Sequence, residues 1–250
     1  MKRLIVIIGI LILSACKSTT KDQLTAQQVV DKSIEVSGGA LYENTTRSFT
    51  FRNLIYISEN NGDQQILKRI SVTEFDTVLD VYSNQEFQRF VNDTLIRIED
   101  SMAIKYGNSI NSVHYFANLP YGLNDPAVKK EMLGKVVLKE KSYHKIKVTF
   151  EQENGGEDFD DTYVYWFNTK KMTPDYLSYE FHTDGGGMRF REAFNERYVN
   201  GIRFVDYKNY KTKDLNTSIL KIDSLFEAGS LELLSKIELE DIKVNRDNYN

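Results

Sequence analysis

The sequence predicts an α+β fold: one large, curved antiparallel sheet of about 10–11 strands, with a few helices covering one face. Three observations predict it. Short runs of alternating apolar and polar residues recur along most of the chain. Turn pairs such as Asn61-Gly62, Asn92-Asp93 and Asn200-Gly201 separate those runs. The runs also follow one another directly, whereas a parallel α/β fold would alternate them singly with helices. The composition agrees, because 15 Tyr and 14 Phe against one Trp suit a pleated, half-buried surface.

The first element is a helix. Thr25 is its N-cap, Gln28 completes a capping box, and Leu24 staples onto Val29. Val29, Val30, Ile34 and Val36 supply the apolar face, and Ser37-Gly38-Gly39 stops it. From Arg47 the period becomes alternating: Phe49, Phe51, Ile55 and Ile57 fall on one face of a long strand. After Asn61-Gly62, Ile66, Ile70 and Val72 alternate, with Lys68 breaking the row. Short strands over 77–82, 86–91 and 94–98 complete a meander, turning at Ser83-Asn84 and Asn92-Asp93.

Met102, Tyr106, Ile110, Val113 and Phe116 form one helical stripe, which Leu119-Pro120 ends. Asp125-Pro126 reads as the start of a short helix closed by Gly134. Strands then resume. His144, Ile146, Val148 and Phe150 share a face, and Tyr163, Tyr165 and Phe167 oppose Val164 and Trp166. Strands around Leu177, Tyr179 and Phe181 and around Met188, Phe190, Glu192 and Phe194 follow. Asn200-Gly201 turns the chain into a strand over 202–210. A short helix over 223–228 precedes a final strand over 233–244.

The start of the chain places the protein. Lys2 and Arg3 precede an apolar run over 4–13, then Ser14, Ala15 and Cys16. That is the pattern of a secretory signal peptide, and the run is too short to span a bilayer, which takes roughly 20 residues. Leu13-Ser14-Ala15-Cys16 resembles a bacterial lipobox. The resemblance implies cleavage between Ala15 and Cys16, and a diacylglyceryl thioether on Cys16. The expected organisation is a signal peptide over 1–15, a lipidated tether over 16–24 and a single domain over 25–250. The tether is short, at most about 28 Å for eight extended residues, so the domain stays close to its membrane. Cys16 is the only cysteine, so the domain holds no disulfide, thiolate zinc site or thiol nucleophile. No acidic run follows Cys16; in Bacteroidota-type lipoproteins such a run accompanies surface export. The expected location is therefore the cell envelope, lipid-anchored in the outer membrane and facing the periplasm.

The element order resembles the lipoprotein carriers of the LolA/LolB type. The wording that carries it is "YHKIKVTF" at 143–150, the strand at 163–168, the turn at 169–174 and the strand at 175–181. The whole chain also resembles an envelope lipoprotein family of Bacteroidota, which brings no activity with it. The carrier resemblance implies an open half-barrel lidded by helices, with acyl chains held in its apolar concavity. An anchored chain corresponds to the outer-membrane acceptor of that pathway and not to its soluble carrier.

Other constellations yield little chemistry. The glycines at 185–187 are followed by a strand pattern and no GK[ST], so they read as a strand-to-strand loop and not a phosphate cradle. His182 with Asp184 lacks a nearby nucleophile. The acidic stretch at 154–161 does not match a calcium loop and reads as a solvated hairpin. His114, His144 and His182 form no metal pair, and His144 reads as a core histidine. Arg189, Arg191, Lys208 and Lys211 interleave with aromatics and read as outward charges over inward rings. Net charge is −4, and −4 − 2 = −6 once Lys2 and Arg3 are removed, which argues against nucleic acid.

The expectation is a non-enzymatic lipoprotein that binds an acyl chain or another apolar ligand, with no metal and no cofactor. Phe150, Tyr165, Trp166, Phe181 and Phe190 are its candidate lining. Its partners are the membrane, through the lipid, and that ligand; no protein partner is identifiable. The alternative is an interaction or glycan-binding module with a Tyr-rich surface and no lipid cavity. A hydrolase would lack any nucleophile–base set.

Overall fold

The computed structural model describes residues 23–61, 64–151, 160–182, 185–214 and 217–246. The signal peptide, Cys16, most of the tether, Gly62, Asp184 and residues 154–159 of the acidic stretch lie outside the described residues. Helix α1 (Ala26–Ser37) has the expected start: Thr25 Oγ1 accepts from the Gln28 N–H, and the Gln28 side chain accepts from the Thr25 N–H. Six antiparallel strands follow: β1 (Thr45–Phe51), β2 (Leu54–Asn61), β3 (Gln64–Val72), β4 (Thr77–Ser83), β5 (Glu86–Val91) and β6 (Thr94–Ile96). Helix α2 (Asp100–Ala117) then leads to β7 (Val128–Leu138), β8 (Lys141–Phe150), β9 (Thr162–Asn168), β10 (Pro174–Phe181), β11 (Gly187–Val199) and β12 (Ile202–Lys211). Helix α3 (Ile222–Glu227), β13 (Glu232–Ile237) and β14 (Glu240–Arg246) end the chain. No helix among the described residues is long and apolar enough to cross a membrane.

The architecture is α+β, antiparallel and open, as the sequence predicts. The strands are divided between two seven-stranded sheets, ordered β14-β1-β2-β3-β4-β5-β6 and β13-β12-β11-β10-β9-β8-β7. The expected final strand over 233–244 is two strands, each the outermost strand of a different sheet. Its break at residues 238–239 is the corner where the sheets join. Buried Asp206 pins that corner: Oδ1 accepts from the Leu239 N–H (3.0 Å) and from Arg197 Nη2 (2.9 Å), and Oδ2 from Asn195 Nδ2 (2.6 Å). Arg197 Nη2 also donates to the Leu239 carbonyl at 2.7 Å.

Two further expectations are corrected. The long strand from Arg47 is a hairpin, because Arg52 and Asn53 both take left-handed φ (52° and 63°) as a two-residue turn. Phe49 consequently faces Tyr56, and Ile55 lies on the outer face. Residues 126–134 are not a helix. They run into β7, where Gly134 (φ 115°) occupies a bulge instead of a C-cap.

The open ends of the two sheets, β6 and β7, are bridged in sequence by α2. Of the predicted stripe, Ile110 is buried, Tyr106, Val113 and Phe116 are half-buried and Met102 is exposed, while His114, outside that stripe, is buried. Gly107 rests on the Tyr82 ring, where a Cβ would come within 2.7 Å of that ring. Buried Arg47 of β1 ties this region together. It donates to the carbonyls of Tyr42 and Thr45, to Ser58 Oγ of β2 and to Asn118 Oδ1 at the end of α2.

Replacing Asp206 by Ala leaves the Leu239 N–H and the Arg197 guanidinium without their buried acceptor. Urea denaturation should show a loss of roughly 3 kcal/mol. Lys129→Ala, at an exposed ion pair, should change stability by less than about 1 kcal/mol.

Candidate functional site

Helix α2 lies in the trough between the sheets and leaves space on both flanks. One flank is a cleft of about 870 Å³, bounded by β3–β5 on one side and the β7–β9 edge on the other. Leu67, Tyr82, Ile104, Phe116, Phe150 and Tyr163 form much of its apolar wall. Asp125 is the only formally charged residue among those lining it, and burial raises its carboxyl pKa. The other flank is a smaller cavity of about 200 Å³ between α2 and β11–β13. The two share Ser112 and Phe116, so one turn of α2 separates them.

Aromatic contacts seat the helix. Tyr115 Oη and Tyr165 Oη are 2.7 Å apart, and burial raises both phenols, so the pair stays neutral. Phe116 lies 5.3 Å from Tyr179, and Tyr163 stacks on Tyr179 at 5.5 Å. Against the other sheet, His114 meets Phe49 and Tyr56 edge-on and its Nε2 is 3.3 Å from the Lys68 carbonyl.

The predicted lining residues separate. Phe150 lines the wide cleft, edge-on to Tyr163 at 5.6 Å. Tyr165 lies on the same inner face, fully buried beneath α2. Phe181 is half-buried beside Tyr179 and the Arg189 guanidinium and lines neither space. Trp166 and Phe190 are on the opposite face of the sheet. Phe190 packs on Phe226 of α3 at 4.6 Å, and Trp166 Nε1 donates to Asp223. Both faces of this sheet are covered, so alternating aromatics point to two different cores. The reading of outward charges over inward rings also fails on β11. Phe190 points to α3, and Arg191 points into the trough with only 7% of its surface exposed.

Sequence reasoning missed Tyr115, Tyr207 and Arg191. The signal for Arg191 lay in its strand parity: it sits one residue from Phe190, on the face of Ala193. The buried guanidinium carbon is 3.8 Å from the Phe116 ring centre, 5.1 Å from Tyr179 and 5.9 Å from Tyr207. Nη2 donates to Tyr179 Oη at 3.0 Å. Among the described residues no carboxylate pairs with it. A buried charge without a counter-ion costs several kcal/mol, of which cation–π contacts offset about 2.

At the surface, His182 Nδ1 is 3.7 Å from Asp160 and 3.6 Å from Asp161, an ion pair when the imidazole is protonated. Gly185 and Gly186 take positive φ in the loop entering β11, as a strand-to-strand connection requires. Among the described residues Tyr198 is the only exposed tyrosine, so the surface is not Tyr-rich.

Two open antiparallel sheets around a trough occupied by α2 define an open half-barrel. The chain belongs to a family of unknown function (DUF6503), whose model matches residues 2–239. It is similar in structure to a DUF1329 family protein from Desulfovibrio piger, at 10% identity and TM-score 0.52, over 91% of this chain and 95% of that one. It is also similar to a LolA superfamily protein from Nitrosomonas europaea, at 12% identity and TM-score 0.48, over 89% and 94%. LolA-type folds, expected from the strand wording, are thus among the solved structures it is similar to. At these identities the likeness shows fold alone, and the shared architecture rests on the 0.52 match. No curated protein matches the chain.

Burial lowers the His114 pKa to about 4. The unfolded chain titrates near 6.5, so between those values it binds more protons than the fold, and stability falls as pH drops. Urea midpoints should therefore fall between pH 7 and pH 5. In His114→Gln the loss over that interval should shrink by roughly 2 kcal/mol. An unchanged loss would place the acid sensitivity elsewhere.

Proposed function

We propose that this chain is a non-enzymatic, lipid-anchored envelope protein that holds an acyl chain or another apolar ligand along α2. The cleft carries the reading: about 870 Å³, concave, with an aromatic and aliphatic wall, a polar side that includes Gln65, Asn84, Gln85, Asn108 and Asn111, and one charged residue. The apolar wall suits an acyl chain, and the amides and hydroxyls are groups that can fix a ligand's orientation. The trough walls come from two separate sheets and from α2, so modest movement of the helix changes its width without breaking a strand ladder. The likeness to LolA-superfamily and DUF1329 folds is compatible with such a role.

The anchor is part of the same proposal. Cys16 carries the lipid after cleavage behind Ala15, residues 16–24 form the tether, and residues 25–250 form one half-barrel. The protein then faces the periplasm from the outer membrane, and two or three acyl chains hold it there, since one chain binds only marginally. The glycan-binding alternative has less support, because among the described residues Tyr198 is the only exposed tyrosine.

Native mass spectrometry of the purified chain should show co-purified lipid. A fluorescent fatty acid should bind, and Phe150→Asp should weaken it about tenfold, the order expected for losing one buried apolar contact. No lipid and no probe binding would refute the cavity. A palmitate analogue should label the wild type and not Cys16→Ala, and equal labelling would refute the anchor.

A further inference from the structure

The small cavity on the β11–β13 flank of α2 combines an apolar wall with polar atoms that have no partner. Phe51, Val113, Phe116, Val205, Ile237 and Leu239 are its apolar lining. Into it face Arg191, Tyr207 and Asn209, from adjacent strands; Arg191 and Asn209 are register partners. Arg191 Nε and Nη1, Tyr207 Oη and Asn209 Oδ1 are buried and lack a hydrogen-bond partner. Burial raises the Tyr207 phenol, which keeps its proton to donate. Asn209 Nδ2 donates to Ser235 Oγ at 3.3 Å. A half-turn of the amide would let Ser235 donate instead and turn the NH₂ into the cavity. Arg191, Tyr207 and the turned amide would then offer donors to the same cavity.

The neighbouring acid is already used elsewhere. Glu192 points to the other face, where it accepts from Lys208 (3.0 Å) and Tyr210 (3.2 Å). The trough is therefore polarised along α2: Asp125 borders the wide cleft, and the unpaired Arg191 borders the small cavity. The cleft end disfavours an anion, and the small cavity lacks one.

We infer that the ligand is an anionic amphiphile whose oxyanion head, a carboxylate or a phosphate, is bound by Arg191 and Tyr207 while its chain lies past Phe116 in the wide cleft. The inference rests on the cavity reading above and adds the chemical class of the head and its place. The guanidinium gives charge-assisted hydrogen bonds to such a head. The two spaces flank one turn of α2 and share Ser112 and Phe116, so a chain that reaches Arg191 from the cleft has to pass the Phe116 side chain.

The test uses the full chain, delipidated, loaded with an uncharged fluorescent hydrophobic probe at pH 8. Oleate should displace the probe at a concentration at least about tenfold lower than methyl oleate, which has the same chain without the charge. Arg191→Met should bring the two to within about twofold, and Arg191→Lys should keep an intermediate preference. Equal displacement by oleate and methyl oleate in the wild type, or a preference that survives Arg191→Met, overturns the inference while the cavity reading stands. A probe that does not bind, or that neither lipid displaces, overturns both. Should Arg191→Met fail to fold, the wild-type comparison and a reduced preference in Tyr207→Phe decide the matter. A short-chain phosphatidic acid that outcompetes oleate identifies a phosphate head, and the reverse order a carboxylate. Inorganic phosphate competing as well as either lipid would make this a free-oxyanion site and contradict the amphiphile.

Discussion

The structure depends on how one helix fills an open trough. Two seven-stranded sheets meet at a single corner and present inner faces that water would otherwise wet. Helix α2 covers part of both, and α1 packs Ala26, Val29 and Val30 into the core of the β7–β13 sheet. Helix α2 uses different chemistry on each side: His114 against Phe49 and Tyr56, and Tyr115 and Phe116 against Tyr163, Tyr165 and Tyr179. An 18-residue helix spans about 27 Å and is roughly 10 Å wide. Two sheets splayed from one corner leave more room than that. The spaces on its flanks follow from that mismatch, and they are where a ligand has room.

The same geometry explains the corner. Asp206 and Arg197 hold Leu239 where consecutive strands leave one sheet for the other. A fixed corner lets the far edges, β6 and β7, stay unpaired with each other, so the trough remains open. Stability is thereby concentrated at the corner and in the two-sided sheet, while the α2 flank stays unfilled. In that flank Arg191 is held by aromatic faces and one phenol, a weaker arrangement than the carboxylate pairs that neutralise Arg69, Arg89 and Arg203 elsewhere.

Much of the architecture was legible in the sequence. The capping box of α1, the turns at Asn92-Asp93 and Asn200-Gly201, the stripe of α2 and the antiparallel order all follow from local chemistry. What was not legible has physical causes. Arg52-Asn53 adopts a left-handed turn that its first residue does not favour, so β1 and β2 read as one strand. Gly134 can end a helix or fill a bulge, and only pairing with β8 decides between them. The site was less legible than the fold. In β9, residues 163–168 are buried on both faces, so alternation cannot say which aromatics line a cavity and which lie under α3. That is why Tyr165 and Phe150 fall in the trough while Trp166 and Phe190 lie behind it. Arg191 was read as solvent-facing because charge usually is; its burial depends on α2 closing over it.

The most direct measurement is a spin-labelled stearate bound to methyl-labelled protein, read by paramagnetic broadening in NMR. A chain lying along α2 predicts broadening at Ile104 and Val128, which line the wide cleft, with Ile219 and Ile222 behind the sheet unaffected. Broadening concentrated at Ile219 and Ile222, or spread evenly over both faces, would contradict a ligand held in the trough.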